Sequence, residues 1–396
     1  MSERSTAGTI VDPRVRVFLG LLAAVRWPPM HRRTVAQARQ DFRLLSAATG
    51  TWTAVRSVCD TRVSTSRGHI PVRVYRPAAT TGRRPLVVWY HGGGFVVGDL
   101  FTADGVCRRL ARAACATVIS VHYRRAPEHP LPAAHRDACA AARWALAHAG
   151  QLGADPARLV LAGDSAGGGL AAHVAQRLRD EGPAPAALQV LCYPASDFSL
   201  ARADRDAAHA RLLDWETIEW FAAHSMPGWS DSQRRDPSIS PLYADRLGGL
   251  PPALVITAGV DPFRSDGIAY CRALSEAGVS AIHRDFPGQI HGFAGMDLIF
   301  PAAGDALRQA ADAIARVRPV DARTAVSAVP EPILWDRVVT DRLRRMGDTA
   351  QRLPQVNGAR VLATLADHHA RAALATLVSL SRHGSPRAPD SQRTIP

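Results

Sequence analysis

The chain has 396 residues, 47% of them apolar, which is enough to build one α/β domain of about 300 residues plus additions and excludes a disordered polymer. Its formal net charge is +13, yet it contains no lysine; all 48 basic residues are arginine. They are scattered and lack aromatic interleaving, so they argue for compositional bias rather than a nucleic-acid surface, while peripheral contact with an anionic membrane stays open.

The six cysteines (Cys59, Cys107, Cys115, Cys139, Cys192 and Cys271) form no C-x-x-C pair and no metal-ligand spacing, so reduced, mostly buried thiols are expected and no metal. Near the N-terminus the apolar stretch 15–27 is broken by Arg16 and Arg26 and followed by Pro28-Pro29. It is a poor signal peptide and too short to span a bilayer, which points to a cytoplasmic location.

Residues 1–50 read as an N-terminal cap segment. Asp12-Pro13 opens a helix whose Val15, Phe18, Leu19, Leu22 and Val25 recur at near-helical spacing, and residues 34–40 begin a second helix. Amphipathic helices packed on the core account for this pattern. Residues 51–318 read as the main domain. Segments 55–64 and 70–75 look like an antiparallel pair across a turn at Ser66-Arg67-Gly68. Segments 86–90, 116–122, 158–162 and 187–193 then alternate with helical stretches, as a largely parallel sheet requires.

Two strand ends carry the chemistry. The run Leu86–Tyr90 leads into His91-Gly92-Gly93-Gly94, a loop whose backbone N–H groups can approach a substrate oxygen. The run Arg158–Ala162 leads into Gly163-Asp164-Ser165-Ala166-Gly167, a G-x-S-x-G turn followed by a small-residue helix. That context makes Ser165 a candidate nucleophile. Asp164 beside it reads as a structural hydrogen-bonding residue of the turn.

Residues 201–250 interrupt the alternation and read as a cap insertion. Its aromatic helix, residues 212–221, offers Trp215, Trp220 and Phe221 as pocket walls, although plain packing accounts for them equally well. Beyond it, the run Ala253–Gly259 delivers Asp261, and 281–286 delivers a turn carrying His291. A nucleophilic serine needs a base and the base needs an orienting acid, in the order Ser, Asp, His. His283 lies within its strand, and His368 and His369 lie in the tail, so His291 is the base of choice. Asp261 stands at its strand end, whereas Asp266 falls in the following helix, where it caps the helix or pairs with Arg264.

These motifs together resemble the hormone-sensitive-lipase-like group (family IV) of α/β-hydrolases. The resemblance rests on HGGGF, YRRAPEHPLPAA, GDSAGGG, SPL, AGVDPFRSDG and PGQIHGF and spans roughly residues 10–317. It implies an eight-stranded, mostly parallel sheet with a helical cap, and Ser165, His291 and Asp261 as the triad. It also implies an oxyanion hole at the amides of Gly92, Gly93 and Ala166, a small-molecule ester substrate with a short to medium acyl chain, and no cofactor. The chain departs from the group in having Arg125 where leucine is usual and Gly169 where asparagine is usual. An amidase or deacetylase, an acyltransferase, and a non-catalytic receptor on the same fold remain alternatives.

Residues 319–396 fall outside the resemblance. Prolines 319, 330, 332 and 354 precede a stretch, 361–380, whose apolar stripe is interrupted by Asp367, His368, His369 and Arg371. It reads as an amphipathic helical extension rather than a membrane span, ending in a disordered tail.

Overall fold

The computed structural model describes residues 11–320, apart from 66, 79–81, 183–185 and 202–211. The readings made for 319–396 therefore lie almost wholly outside the described residues, as do Ser66 of the expected turn and part of the cap insertion.

Two helices open the chain. α1 (Pro13–Ala24) starts at Asp12, whose carboxylate accepts the Arg14 N–H, with proline at the first helical position. α2 (Val35–Thr49) starts with a capping box between Thr34 and Gln37. It runs well past the residues that announced it. The body follows: β1 (Ser57–Thr65), β2 (Gly68–Arg76), β3 (Arg84–Tyr90), α3 (Asp104–Ala113), β4 (Thr117–Val121), α4 (Ala133–Ala147), β5 (Ala154–Asp164), α5 (Ala166–Glu181) and β6 (Ala186–Cys192). Next come α6 (Trp215–Ser225), the single turn α7 (Asp231–Arg234), β7 (Ala253–Val260), α8 (Arg264–Glu276), β8 (Ala281–Ile290) and α9 (Pro301–Ala315).

The eight strands form one sheet in the order β1-β2-β4-β3-β5-β6-β7-β8. β1, β2 and β4 pair antiparallel, and every pairing from β4 to β8 is parallel. This is the mostly parallel, eight-stranded sheet that the motifs imply. Helices cover both faces, which explains why β3 reads as a continuous apolar run. Within it, Leu86, Val88 and Tyr90 face the layer of α4, α5 and α8, while Val87 and Trp89 face the layer of α1, α3 and α9. Each such fully buried large side chain stabilises the fold by about 1.5–3 kcal/mol. Because the strands run parallel, their carboxyl ends gather on one side of the sheet, and the candidate residues gather with them.

Two boundaries differ from expectation. β8 continues to Ile290 instead of stopping at Phe286, because a register shift lets Val260 pair with Ile290. Residues 287–290 therefore belong to the strand, and His291 follows it directly. The aromatic helix begins at Trp215, not Leu212, because the Asp214 side chain accepts the Thr217 N–H and fixes the helix start.

Candidate active site

Ser165 sits between the end of β5 and the start of α5 with φ 56° and ψ −126°. This left-handed conformation is strained for a residue with a Cβ and projects the side chain away from the sheet. Neighbouring backbone holds it there. The Ser165 N–H donates to the Cys192 carbonyl at 2.9 Å, and its own carbonyl accepts from Ala195 N–H at 3.2 Å. The turn closes so tightly that a Cβ on Gly167 would lie 2.0 Å from the Tyr90 carbonyl oxygen. At Gly169, where the group usually has asparagine, a Cβ would stand 2.2 Å from the Ala195 carbonyl, so here the backbone fills the space a side chain would use.

β7 and β8 bring up the other two groups. His291 Nε2 lies 2.7 Å from Ser165 Oγ, and His291 Nδ1 lies 2.8 Å from Asp261 Oδ2. Asp261 Oδ1 accepts the Phe263 N–H at 2.8 Å, which leaves Oδ2 for the imidazole. The Asp261 side chain is wholly buried and that of His291 is 11% exposed. A carboxylate accepts only, so Nδ1 carries the proton and Nε2 is free to accept from the serine hydroxyl. Tyr193 and Phe263 flank the ring at centroid separations of 4.9 and 5.7 Å, which restricts its rotation.

The competing carboxylates are engaged elsewhere. Asp266, buried in the first turn of α8, accepts the Ser196 and Asp197 N–H groups at 3.2 and 3.1 Å, and burial pushes its carboxyl well above the ordinary range. Among the described residues it pairs with no arginine, and Arg264, one of the two partners expected of it along with the helix end, pairs with Asp285 at 2.9 Å. His283 bonds to Thr257 at 2.8 Å within the sheet.

The glycine loop follows β3 and faces Ser165. Gly93 and Gly94 have positive φ (117° and 57°), which turns the loop sharply. Among the described residues the amides of Gly93, Gly94 and Ala166 have no protein acceptor, and all three residues line the cavity in front of Ser165. Gly92 differs from its expected role. Its N–H donates to Asp164 Oδ1 at 2.8 Å, so a carboxylate takes the bond that was assigned to a substrate oxygen. Behind the loop, His91 Nδ1 lies 2.8 Å from the Gly92 carbonyl, and burial pushes its pKa down to about 3. The neutral ring therefore donates Nδ1–H to that carbonyl. Arg125, the second departure from the group, donates to the Gly98 carbonyl on the far side of the same loop.

These residues open into a cavity of about 550 Å³. Leu19, Leu22, Phe42 and Leu45 from the first two helices, with Trp27 from the segment between them, wall one side, and Leu212, Leu213, Ile218 and Phe221 from the insertion wall another. Phe221 packs so close to the glycine loop that a Cβ on Gly94 would meet its ring at 2.3 Å. Trp215 and Trp220 do not reach the cavity. Trp215 Nε1 donates to Glu219 at 2.7 Å, and Trp220 packs against Ala38, Val96 and Val97. Sequence reasoning missed Asp41, Asp214 and Met296 as wall residues. Asp214 carried a helix-cap signal, but nothing local marked any of the three as facing a cavity.

A serine, imidazole and carboxylate in line at the carboxyl ends of a parallel sheet, beside a glycine-rich amide loop, is the arrangement of the α/β-hydrolases. The family profile described as alpha/beta hydrolase fold matches residues 87–295. The chain is 44% identical over 251 residues to carboxylesterase NlhH of Mycobacterium tuberculosis, covering 62% of this chain and 78% of that one. It is 36% identical over 317 residues to an ethyl acetate hydrolase of Pseudomonas putida, covering 77% and 98%. Among solved structures, an esterase of Pyrobaculum calidifontis superposes with a TM-score of 0.70 at 37% identity, covering 77% of this chain and 98% of the other. The chain belongs to the hormone-sensitive-lipase-like group of the α/β-hydrolase family.

Proposed function

We propose that this protein hydrolyses small carboxylic esters through Ser165, His291 and Asp261. The observation that carries the reading is the unbroken pair of contacts, 2.7 Å and 2.8 Å, from Ser165 Oγ through His291 to Asp261 at the wall of an apolar cavity. As Oγ attacks the ester carbonyl, Nε2 takes its proton. Asp261 keeps the imidazole in the working tautomer and stabilises the imidazolium. The carbonyl oxygen, now charged, is held by amides of the glycine loop and by Ala166, each such donor being worth about 3 kcal/mol. We assign this role to Gly93, Gly94 and Ala166, since the Gly92 amide is engaged. Ala166 also opens α5, whose N-terminal dipole favours negative charge there. His291 then returns its proton to the leaving alcohol. The resulting acyl-enzyme is hydrolysed by a water that His291 deprotonates.

The cavity volume and its largely apolar walls suit an uncharged ester with a short to medium acyl chain. The deciding experiment is a chromogenic ester series of increasing acyl length, run beside the matching anilides on wild type and Ser165→Ala. Ester turnover in wild type and none in the variant supports the reading. Faster cleavage of anilides than of esters would make the protein an amidase.

For a partner beyond the substrate, we read a peripheral lipid surface from residues 13–34, which hold Arg14, Arg16, Arg26, Arg32 and Arg33 and no acidic residue. Val17 and Leu21 are about half exposed on the same segment, and no described helix is long and apolar enough to cross a membrane. Flotation with anionic liposomes tests this contact, and a protein left in the unbound fraction at low salt would rule it out.

A further inference from the structure

The residue before the nucleophile holds the loop opposite it. Asp164 ends β5 and lines the cavity, and its Oδ1 accepts the Gly92 N–H at 2.8 Å. The contact is close on all sides. A Cβ on Gly92 would lie 2.5 Å from Asp164 Oδ2 and 3.1 Å from the Asp164 carbonyl oxygen. The opposite face of the same residue is fixed too, since the Gly92 carbonyl accepts from His91 Nδ1. The His91 carbonyl in turn accepts from Tyr123 Oη at 2.6 Å. Gly92 is thus held from both faces, and the amides that follow it, Gly93 and Gly94, inherit their placement from that hold. A donor acts on a developing oxyanion only when it stands about 2.7–3.1 Å from where that oxygen will be, so a small shift of the loop matters.

We propose that Asp164 is a positioning residue for ester hydrolysis, setting the place of the Gly93 and Gly94 amides through its bond to Gly92. The inference rests on the reading of Ser165 as nucleophile. Its surroundings fit the role. Burial pushes the Asp164 carboxyl up to about 6, with the Gly92 amide and His291 pulling it back, so it is ionised at neutral pH and accepts a charge-assisted bond. The other groups that face it are Cys107 on α3, Tyr123 after β4, Cys192 at the end of β6 and Tyr193 beyond it. Burial raises the pKa of all four, so they stay neutral. His291 is the facing group whose charge changes during turnover.

Three variants of the full-length protein separate position from charge. Asp164→Asn keeps an oxygen at the Oδ1 position and removes the charge. Asp164→Glu keeps the charge but adds a methylene where Gly92 leaves no room. Asp164→Ala removes the acceptor. Each is assayed for kcat and KM on a soluble chromogenic ester, with thermal melts to confirm folding. Asp164→Asn is expected within about fivefold of wild type, while Glu and Ala lose about 30- to 300-fold in kcat with KM changed less than about threefold, the scale of a misplaced oxyanion donor. Should Asp164→Ala not fold, the Asn and Glu pair decides alone. An active Glu variant beside an inactive Asn variant would show that charge, not position, matters and would overturn the proposal, as would wild-type kcat in a folded Ala variant or a loss confined to KM. Ser165→Ala in the same assay keeps the two readings apart. If it retains turnover, the nucleophile assignment has failed. If it is inactive while the Asp164 variants are unimpaired, only the positioning role has failed.

Discussion

Replacing Asp261 by asparagine tests the acid more sharply than deleting it, because the geometry constrains how the amide can sit. Asp261 Oδ1 receives the Phe263 N–H and Oδ2 receives His291 Nδ1–H, each at 2.8 Å. Asparagine has one acceptor and one donor end. If its oxygen faces Phe263, its NH₂ faces His291 and forces the proton onto Nε2, where it blocks transfer from Ser165. If its oxygen faces His291, its NH₂ opposes the Phe263 N–H in a fully buried site. The first arrangement avoids that donor–donor clash, so the wrong tautomer prevails. Such a tautomer change drops kcat by about 10⁴, or about 5 kcal/mol of transition-state stabilisation. Asp266→Asn supplies the contrast. Burial pushes the Asp266 carboxyl well above the ordinary range, and an asparagine there is similar in shape and keeps an oxygen that can still accept from Ser196 and Asp197. That variant is expected within about threefold of wild type, since no reacting group touches it. The assay is kcat/KM on a chromogenic ester from pH 6 to 9, with circular-dichroism melts to show that both variants fold. A folded Asp266→Asn slower than Asp261→Asn would refute the reasoning, as would Asp261→Asn retaining a tenth of wild-type rate.

Four further outcomes are expected. Ser165→Ala loses about 10⁴-fold or more in ester hydrolysis while keeping the wild-type melt, and a covalent phosphonate probe that labels wild type leaves it unlabelled. Gly167→Ala destabilises the fold by about 3 kcal/mol or more, since the added methyl meets the Tyr90 carbonyl at 2.0 Å; an unchanged melting temperature would contradict this. Deleting residues 321–396 leaves soluble-ester kcat within about threefold, because the assigned triad and the cavity walls all lie between Leu19 and Met296; a folded, monodisperse truncation without activity would place the tail in the catalytic unit. Arg39→Ala weakens the acid dependence of stability: the bidentate Arg39–Glu128 pair holds the glutamate down at about 2, below its usual 4.5, so its contribution is complete above pH 4.5 and is lost as pH falls toward 2. The pair is partly exposed, so the effect is under about 1 kcal/mol, and identical acid melts of the two proteins would rule it out.

Much of this molecule is written locally. The two turn motifs follow apolar runs, and a strand-then-glycine pattern specifies a sharp turn wherever it occurs, so Ser165 and the glycine loop were legible without a fold. The order of Ser165, Asp261 and His291, each after a strand-like run, was legible because parallel strands deliver their ends to one side. What the sequence left undecided is whatever depends on side chains meeting from distant elements. Gly92 and Asp164 stand 72 residues apart, and only the side-by-side pairing of β3 and β5 lets the carboxylate capture an amide otherwise assigned to the substrate. Trp220 and Phe221 are adjacent on one helix and both pack against the cluster of Ala38, Val96, Val97 and Ala126, yet only Phe221 lines the cavity, because a helix turns about 100° per residue. Asp266 was read as capping its helix or pairing with Arg264, whereas the approach of residues 196 and 197 gives it two backbone donors in a buried site. A sequence specifies which turns and strands form; which polar group finds which partner is settled by distance in space, after the sheet has been assembled.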